Sequence, residues 1–249
     1  MSKANANLNL HFTNDIPKYW ANNNPIITHF FNAVSTVIPE GEKLFIRSLK
    51  QFERNITDTQ LQQQVRLFIL QEAEHSKQHL AMNQWLANNG VISDKIAARV
   101  KTQVANIIKS TSEESLLEST IAMEHLSTIL SKHFLDNPTL SEGFHPTMVQ
   151  LFNWHSQEEL EHKTVAFDVY CSLNNINRNY WQRISKLMFI ALVILPKVIS
   201  IQLSYIIAER QFFNFSAWTR AQWYFWGNPG WFRKILPDFF KFFRFDFTP

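Results

Sequence analysis

Two Glu-x-x-His units, Glu72 to His75 and Glu159 to His162, sit inside long apolar stripes of helical period. No other feature of the chain restricts its fold as strongly. The stripe of one predicted helix reads Leu61, Val65, Phe68, Glu72, His75, His79, Met82, and another reads Met148, Phe152, His155, Glu159, His162, Ala166, Val169. Steps of three and four place each set on one face. Two further helices carry one seam glutamate each: Ile38, Glu42, Phe45, Leu49, Phe52 and Leu117, Ile121, Glu124, Thr128, Ser131, Leu135. Four helices therefore aim carboxylates inward, where ionisation is costly unless a cation answers them.

The order Glu42, Glu72-x-x-His75, Glu124, Glu159-x-x-His162 is the arrangement used by carboxylate-bridged dinuclear bundles, one Glu from each of two helices and a Glu-x-x-His from each of the others. The expected fold is all-α, a ferritin-like four-helix bundle with an additional helical, aromatic-rich C-terminal extension. The longer gap, 49 residues from His75 to Glu124, accommodates a crossover connection containing a short amphipathic segment at 93–109. Pro25 opens the first helix, which runs past Pro39 to about Asn55; Thr57 or Asp58 caps the second, ending near Gly90; Ser112 caps the next, ending near Asp136; Pro146 starts the last, ending near Leu173. Three parts follow: a polar segment 1–24, a metal-binding bundle 25–174, and an aromatic-basic extension 175–249 packed on the bundle or on a membrane surface.

The predicted metal ligands are Glu42, Glu72, His75, Glu124, His155, Glu159 and His162, with His79 as a supporting residue or pocket wall. Glu40 competes with Glu42 but reads as a helix-start acid, and Glu118 competes with Glu124 but lies off its stripe. Glu74, Glu158 and Glu161 fall off the seam and read as solvent-facing or ion-paired; His125 reads as a packing or surface histidine. Imidazole and carboxylate ligands suit two divalent ions per chain, iron first, with manganese or zinc as alternatives.

The stretches 38–50 (IPEGEKLFIRSLK), 68–79 (FILQEAEHSKQH), 122–125 (AMEH) and 154–170 (WHSQEELEHKTVAFDVY) resemble the bacterial family of predicted metal-dependent hydrolases, which resembles the ferritin-like superfamily. The block His155-x-x-x-Glu159-x-x-His162 is also similar to the diiron aryl-amine N-oxygenases, which use an extra histidine ligand four residues before the Glu-x-x-His. The chain's end, FRFDFTP, departs from the His-Pro found near the C-terminus in that hydrolase family. The ligand set of the resembling proteins implies O₂-dependent oxidation of an apolar or aromatic small molecule, served by an electron donor. The family label implies instead a hydrolase that activates a metal-bound water. A non-catalytic iron-binding protein is the third reading.

Composition enters where these readings need limits. Five glycines, no G-x-G-x-x-G and no G-x-x-x-x-G-K argue against glycine-rich phosphate loops. A single cysteine, Cys171, excludes an intrachain disulfide framework and a cysteine-based zinc site, and fits a reducing compartment. Residues 178–249 hold 10 Lys/Arg against 3 Asp/Glu and 20 of the 35 aromatics, whereas residues 1–177 hold 14 against 18. The 22 residues 187–208 carry one charge, Lys197, and at about 33 Å are long enough to cross a bilayer. Trp interleaved with Lys/Arg beyond them suits peripheral membrane contact through 187–249. No nucleic-acid motif accompanies these residues, so no nucleic-acid partner is expected. The polar start lacks the apolar core of a secretion signal, so the expected location is cytoplasmic, at the inner face of the cytoplasmic membrane.

Overall fold

Asn24 starts the first helix as its sequence suggests: the side-chain carbonyl accepts from the backbone N–H groups of Ile26 and Ile27, and Pro25 occupies the first helical position, where no N–H is needed. The resulting α1 spans Pro25–Lys50. The computed structural model describes residues 10–173 and 180–246, with Gln182 in its backbone only. The first nine residues of the polar start, most of the break after Leu173 and the final three residues lie outside that range.

Asp58 caps α2 (Thr59–Asn88) through Gln60 and Leu61, and Gly90, with φ of +80°, turns the chain out of it. α3 (Ser93–Ser110) fills the long connection and packs on α1 and α2. Ser112 caps α4 (Glu113–Asp136), whose first turn holds Glu113 and Glu114. α5 (Pro146–His162) and α6 (Val165–Ser172) follow, then α7 (Tyr180–Ala208), α8 (Phe215–Gln222) and α9 (Trp231–Lys241). Among the described residues the structure is helical, with one isolated β-bridge between Ala21 and Phe144. The all-α helical-bundle expectation is borne out.

Two boundaries differ from expectation. α1 ends at Lys50, and a separate 3₁₀ turn covers Glu53–Asn55. The helix expected to continue to Leu173 instead stops at His162 and restarts at Val165. Neither glycine nor proline marks that break, and no local signal explains it.

Pro39 does not break α1. Its missing N–H frees the carbonyl of Ser35 one turn earlier, and Asn83 of α2 donates to that oxygen at 2.9 Å. The proline's cost is thus met by a neighbouring helix.

The bundle pairs α1 with α2 and α4 with α5, with α6 against α2 and α4. Along each helix the buried residues change from apolar to polar and back. One apolar cluster takes Ile26, Ile27, Phe30 and Phe31 of α1, Met82, Trp85 and Leu86 of α2, Phe134 of α4 and Met148, Leu151 and Phe152 of α5. The other takes Leu44, Phe45 and Leu49 of α1, Leu61, Val65 and Phe68 of α2, Leu116, Leu117, Ile121 and Ala122 of α4 and Val165, Ala166 and Val169 of α6. Between them lies a belt of buried glutamates and histidines. Ile16 and Trp20 of the N-terminal segment, and Tyr205, Phe225 and Trp231 of the C-terminal part, join the first cluster.

Candidate metal centre

Each expected ligand occupies this polar belt. Glu42, Glu72, His75, Glu124, Glu159 and His162 are at most 3% exposed. The His155 side chain retains 12%, so among these residues it lies closest to solvent. Three sets of donor atoms are close enough to share an ion: Glu42, His75 and His155; Glu72, His75 and Glu159; Glu72, Glu124 and His162. Glu72 and His75 each belong to two of these sets.

The hydrogen-bond network assigns the imidazole atoms. Both oxygens of Glu158 accept, one from Trp154 Nε1 at 3.1 Å and the other from His75 Nε2 at 3.0 Å. His75 therefore donates through Nε2 and turns Nδ1 toward Glu42, Glu72 and Glu159, at 3.6–3.7 Å. Likewise His162 Nε2 donates to Gln71 Oε1 at 3.0 Å, leaving Nδ1 2.8 Å from Glu72 Oε1. The pattern is reciprocal: the residue before the glutamate of each Glu-x-x-His unit holds the histidine of the other. A support that fixes the ring and its tautomer is what a metal-binding histidine requires.

Of the two readings open to Glu158, solvent-facing or ion-paired, the structure shows the second. It is 8% exposed and paired with His75 across the helix interface. Gln71 is absent from the sequence expectation altogether; the only signal for either residue is its position immediately before a seam glutamate. Glu40 pairs with Lys43 at 2.6 Å, and Glu118 lies 3.8 Å from Lys186 of α7, so neither rival enters the belt. His125 stacks on Phe242 with ring centroids 4.7 Å apart, and burial pushes its pKa down to about 4, in keeping with a packing role.

His79 lies in the wall of the site, its ring centroid 5.0 Å from that of His155. Asn83 spends its amide N–H on the Ser35 carbonyl, so its Oδ1 accepts from the Ser35 hydroxyl. Ser35 Oγ then accepts from His79 Nδ1 at 2.9 Å. The Nε2 lone pair of His79 consequently remains buried without a hydrogen-bond partner. Phe68, Phe152 and Trp154 add aromatic walls: Phe68 meets His162 at 4.5 Å, Phe152 meets His79 at 5.8 Å and Trp154 meets His75 at 5.0 Å.

The electrostatics demand a cation. Both oxygens of Glu72 and Glu124, Glu42 Oε1, and Nδ1 of His75, His155 and His162 are buried without a hydrogen-bond partner. Burial, reinforced by the Glu72 charge, pushes Glu42 well above the carboxylate range; burial and the Glu159 charge do the same to Glu124, and burial with the Glu72 charge raises Glu159. Burial also acts to raise Glu72, but the adjacent His162 and His75 imidazoles outweigh it and hold the group down at about 2. His75 rises well above its ordinary value because its hydrogen bond to Glu158 and the adjacent Glu72 carboxylate overcome desolvation. Burial and the His75 charge push His155 far down and His79 to about 3. Without metal, protons must be shared among these carboxylates and His75. The donor set is thus compatible with divalent-metal binding, using only oxygen and imidazole nitrogen.

A family model described as predicted metal-dependent hydrolase matches residues 5–249. No curated protein and no solved structure matches the chain.

Proposed function

The chain belongs to this family of predicted metal-dependent hydrolases, and from that premise we propose a metal-dependent enzyme built on a dinuclear centre in the polar belt. Glu42, His75 and His155 would serve one ion, Glu124 and His162 the other, with Glu72 and Glu159 shared between them. The observation that carries this reading is the convergence of buried, unpartnered carboxylate oxygens and imidazole Nδ1 atoms on one volume. Four carboxylates balance two divalent cations in charge. Hydrolysis is the chemistry favoured by the family's description.

Bound cations would supply a Lewis acid and a water activated near neutral pH. The protein's own residues do the rest. Glu158 and Gln71 hold the two histidines in one tautomer, and Ser127 donates to Glu159, fixing the shared carboxylate. The lone pair of His79 Nε2 offers an acceptor to a substrate or water proton beside His155. Phe68, Phe152 and Trp154 exclude water and suit a small substrate with an apolar part.

A second reading, O₂-dependent oxidation of an apolar or aromatic small molecule with iron in the same positions, is favoured by the ligand set, rich in carboxylate and enclosed by aromatic rings. Elemental analysis of purified protein is expected to give two divalent ions per chain. A Glu72→Ala, Glu159→Ala double variant should lose both; full metal content in it refutes the site. Ester or phosphoester turnover without O₂ consumption supports hydrolysis, and substrate-dependent O₂ uptake by the iron-loaded protein supports oxidation. Metal-loaded protein inactive in both screens would indicate a non-catalytic metal-binding role.

A further inference from the structure

The helix α7 presents an unusual outer face. It runs for 29 residues, and the stretch from Arg183 to Ala208 is long enough and, on average, apolar enough to cross a membrane. A core helix with that composition would be mostly buried, yet only 28% of its most apolar window is. Phe189, Leu192, Val193, Leu195, Ile199 and Ile207 are 41–68% exposed. The only charge within 187–208 is Lys197. The result is an apolar strip about 27 Å long, from Phe189 to Ile207, far more continuous than the scattered exposed side chains of ordinary protein surfaces.

The opposite face fixes how the strip is presented. Leu187, Ile190, Val198, Ile201 and Ile206 are buried against the rest of the protein. Near one end Lys186 reaches Ser115 and Glu118 of α4; near the other, Gln202 donates to the Ile26 carbonyl and Tyr205 shares a 2.8 Å hydrogen bond with Thr36, both on α1. Crossing a bilayer would carry α1 and α4 into lipid with their surface charges. Lying parallel to it would not.

We propose that α7 docks in the plane of an anionic lipid surface, its exposed face in the acyl boundary and the basic, aromatic segment after it among the headgroups. Beyond α7, Phe213 of the connecting loop and Phe215 at the start of α8 are 77% and 73% exposed, while Trp223 and Trp226 are 65% and 49% exposed. Arg210 and Arg220 lie among these aromatics, and both are exposed. Trp beside Lys/Arg, next to an amphipathic helix, is the composition of interfacial anchors. The charge also selects the occupant. A second copy of this chain would set two such regions against each other, each with 10 Lys/Arg and 3 Asp/Glu over residues 178–249, whereas anionic lipid complements them.

The test is co-sedimentation of the full-length, metal-loaded chain with vesicles of phosphatidylglycerol and phosphatidylethanolamine, compared with pure phosphatidylcholine. Binding is expected on the anionic vesicles at low salt, weakening as salt rises and on phosphatidylcholine. A Leu192→Glu, Ile199→Glu variant should lose binding by about tenfold or more at unchanged circular dichroism and metal content. An Arg210→Gln, Arg220→Gln variant, which leaves the helix face untouched, should flatten the salt dependence. The proposal is overturned by failure to sediment with anionic vesicles at low salt, or by equal binding of the wild type and the glutamate variant. It is equally overturned if the face instead drives self-association, seen by analytical ultracentrifugation as a dimer that the glutamate pair abolishes without any vesicle binding.

Discussion

Glu158 and Gln71 hold equivalent places, each one residue before a Glu-x-x-His glutamate and each bonded to the histidine of the other unit. They differ in charge. A carboxylate behind His75 makes that imidazole the stronger donor, while a neutral amide behind His162 does not. The two proposed ion positions are therefore inequivalent, and Glu158→Gln should weaken the ion at His75 by about 10–100-fold while sparing the other. Two-step metal titration by calorimetry checks this; equal weakening of both steps would contradict it. The same residues set a pH dependence. Glu42, Glu124 and Glu159 are raised in the metal-free fold, and so is His75, so the folded chain holds protons that the unfolded chain releases. Their stabilisation is lost as pH rises. His79 and His155 are lowered and act in the opposite sense, but only below their unfolded value near 6.5. Above about pH 7 one sign remains. The midpoint of thermal unfolding of metal-free protein should fall from pH 7 to 9, and bound metal should suppress that slope by replacing the protons. A metal-free midpoint that rises over this interval would count against the buried carboxylates.

At the scale of elements, the four stripes were legible because helical period and burial coincide: Val65, Phe68, Glu72, His75, His79 and Met82 are all at most 1% exposed. The support behind the stripes was not. Glu158 lies about 100° around α5 from Glu159, and its burial depends on α2 lying alongside, a tertiary fact that no single-helix pattern contains. The interruption between His162 and Val165 was equally hidden, because neither proline nor glycine marks it. Pro39 shows the converse: a sequence signal for a break that the fold overrides. Asn83 bonds both the freed Ser35 carbonyl and the Ser35 hydroxyl that orients His79. Asn83→Ala should cost about 1–3 kcal/mol in denaturant unfolding, the penalty for a buried group left without its partner. Pro39→Ala in that background should recover part of the loss, since an alanine at this position restores the backbone N–H that the Ser35 carbonyl lacks. No recovery would show that the carbonyl is not what Asn83 serves.

Across the whole molecule, two apolar clusters enclose a belt of buried carboxylate and imidazole atoms without hydrogen-bond partners. Metal binding to the folded state alone adds about 2.7 kcal/mol at a hundredfold excess over Kd. Stripping with a chelator should then lower the thermal midpoint by about 5–10 °C for a chain of this size. A midpoint indifferent to metal would place the ions elsewhere. The geometry also says where the loss is felt. Glu42, Glu72 and His75 come from the α1–α2 pair, and Glu124, His155, Glu159 and His162 from the α4–α5 pair. Each helical pair supplies part of the ligand set and closes its own ends with its own caps. Ions held in common by Glu72 and Glu159, as proposed above, would act as a clasp between the two pairs as between jaws. Removing them would leave the helices wound and let the jaws part, so the mechanical weak line of the protein runs between the two pairs, along the belt.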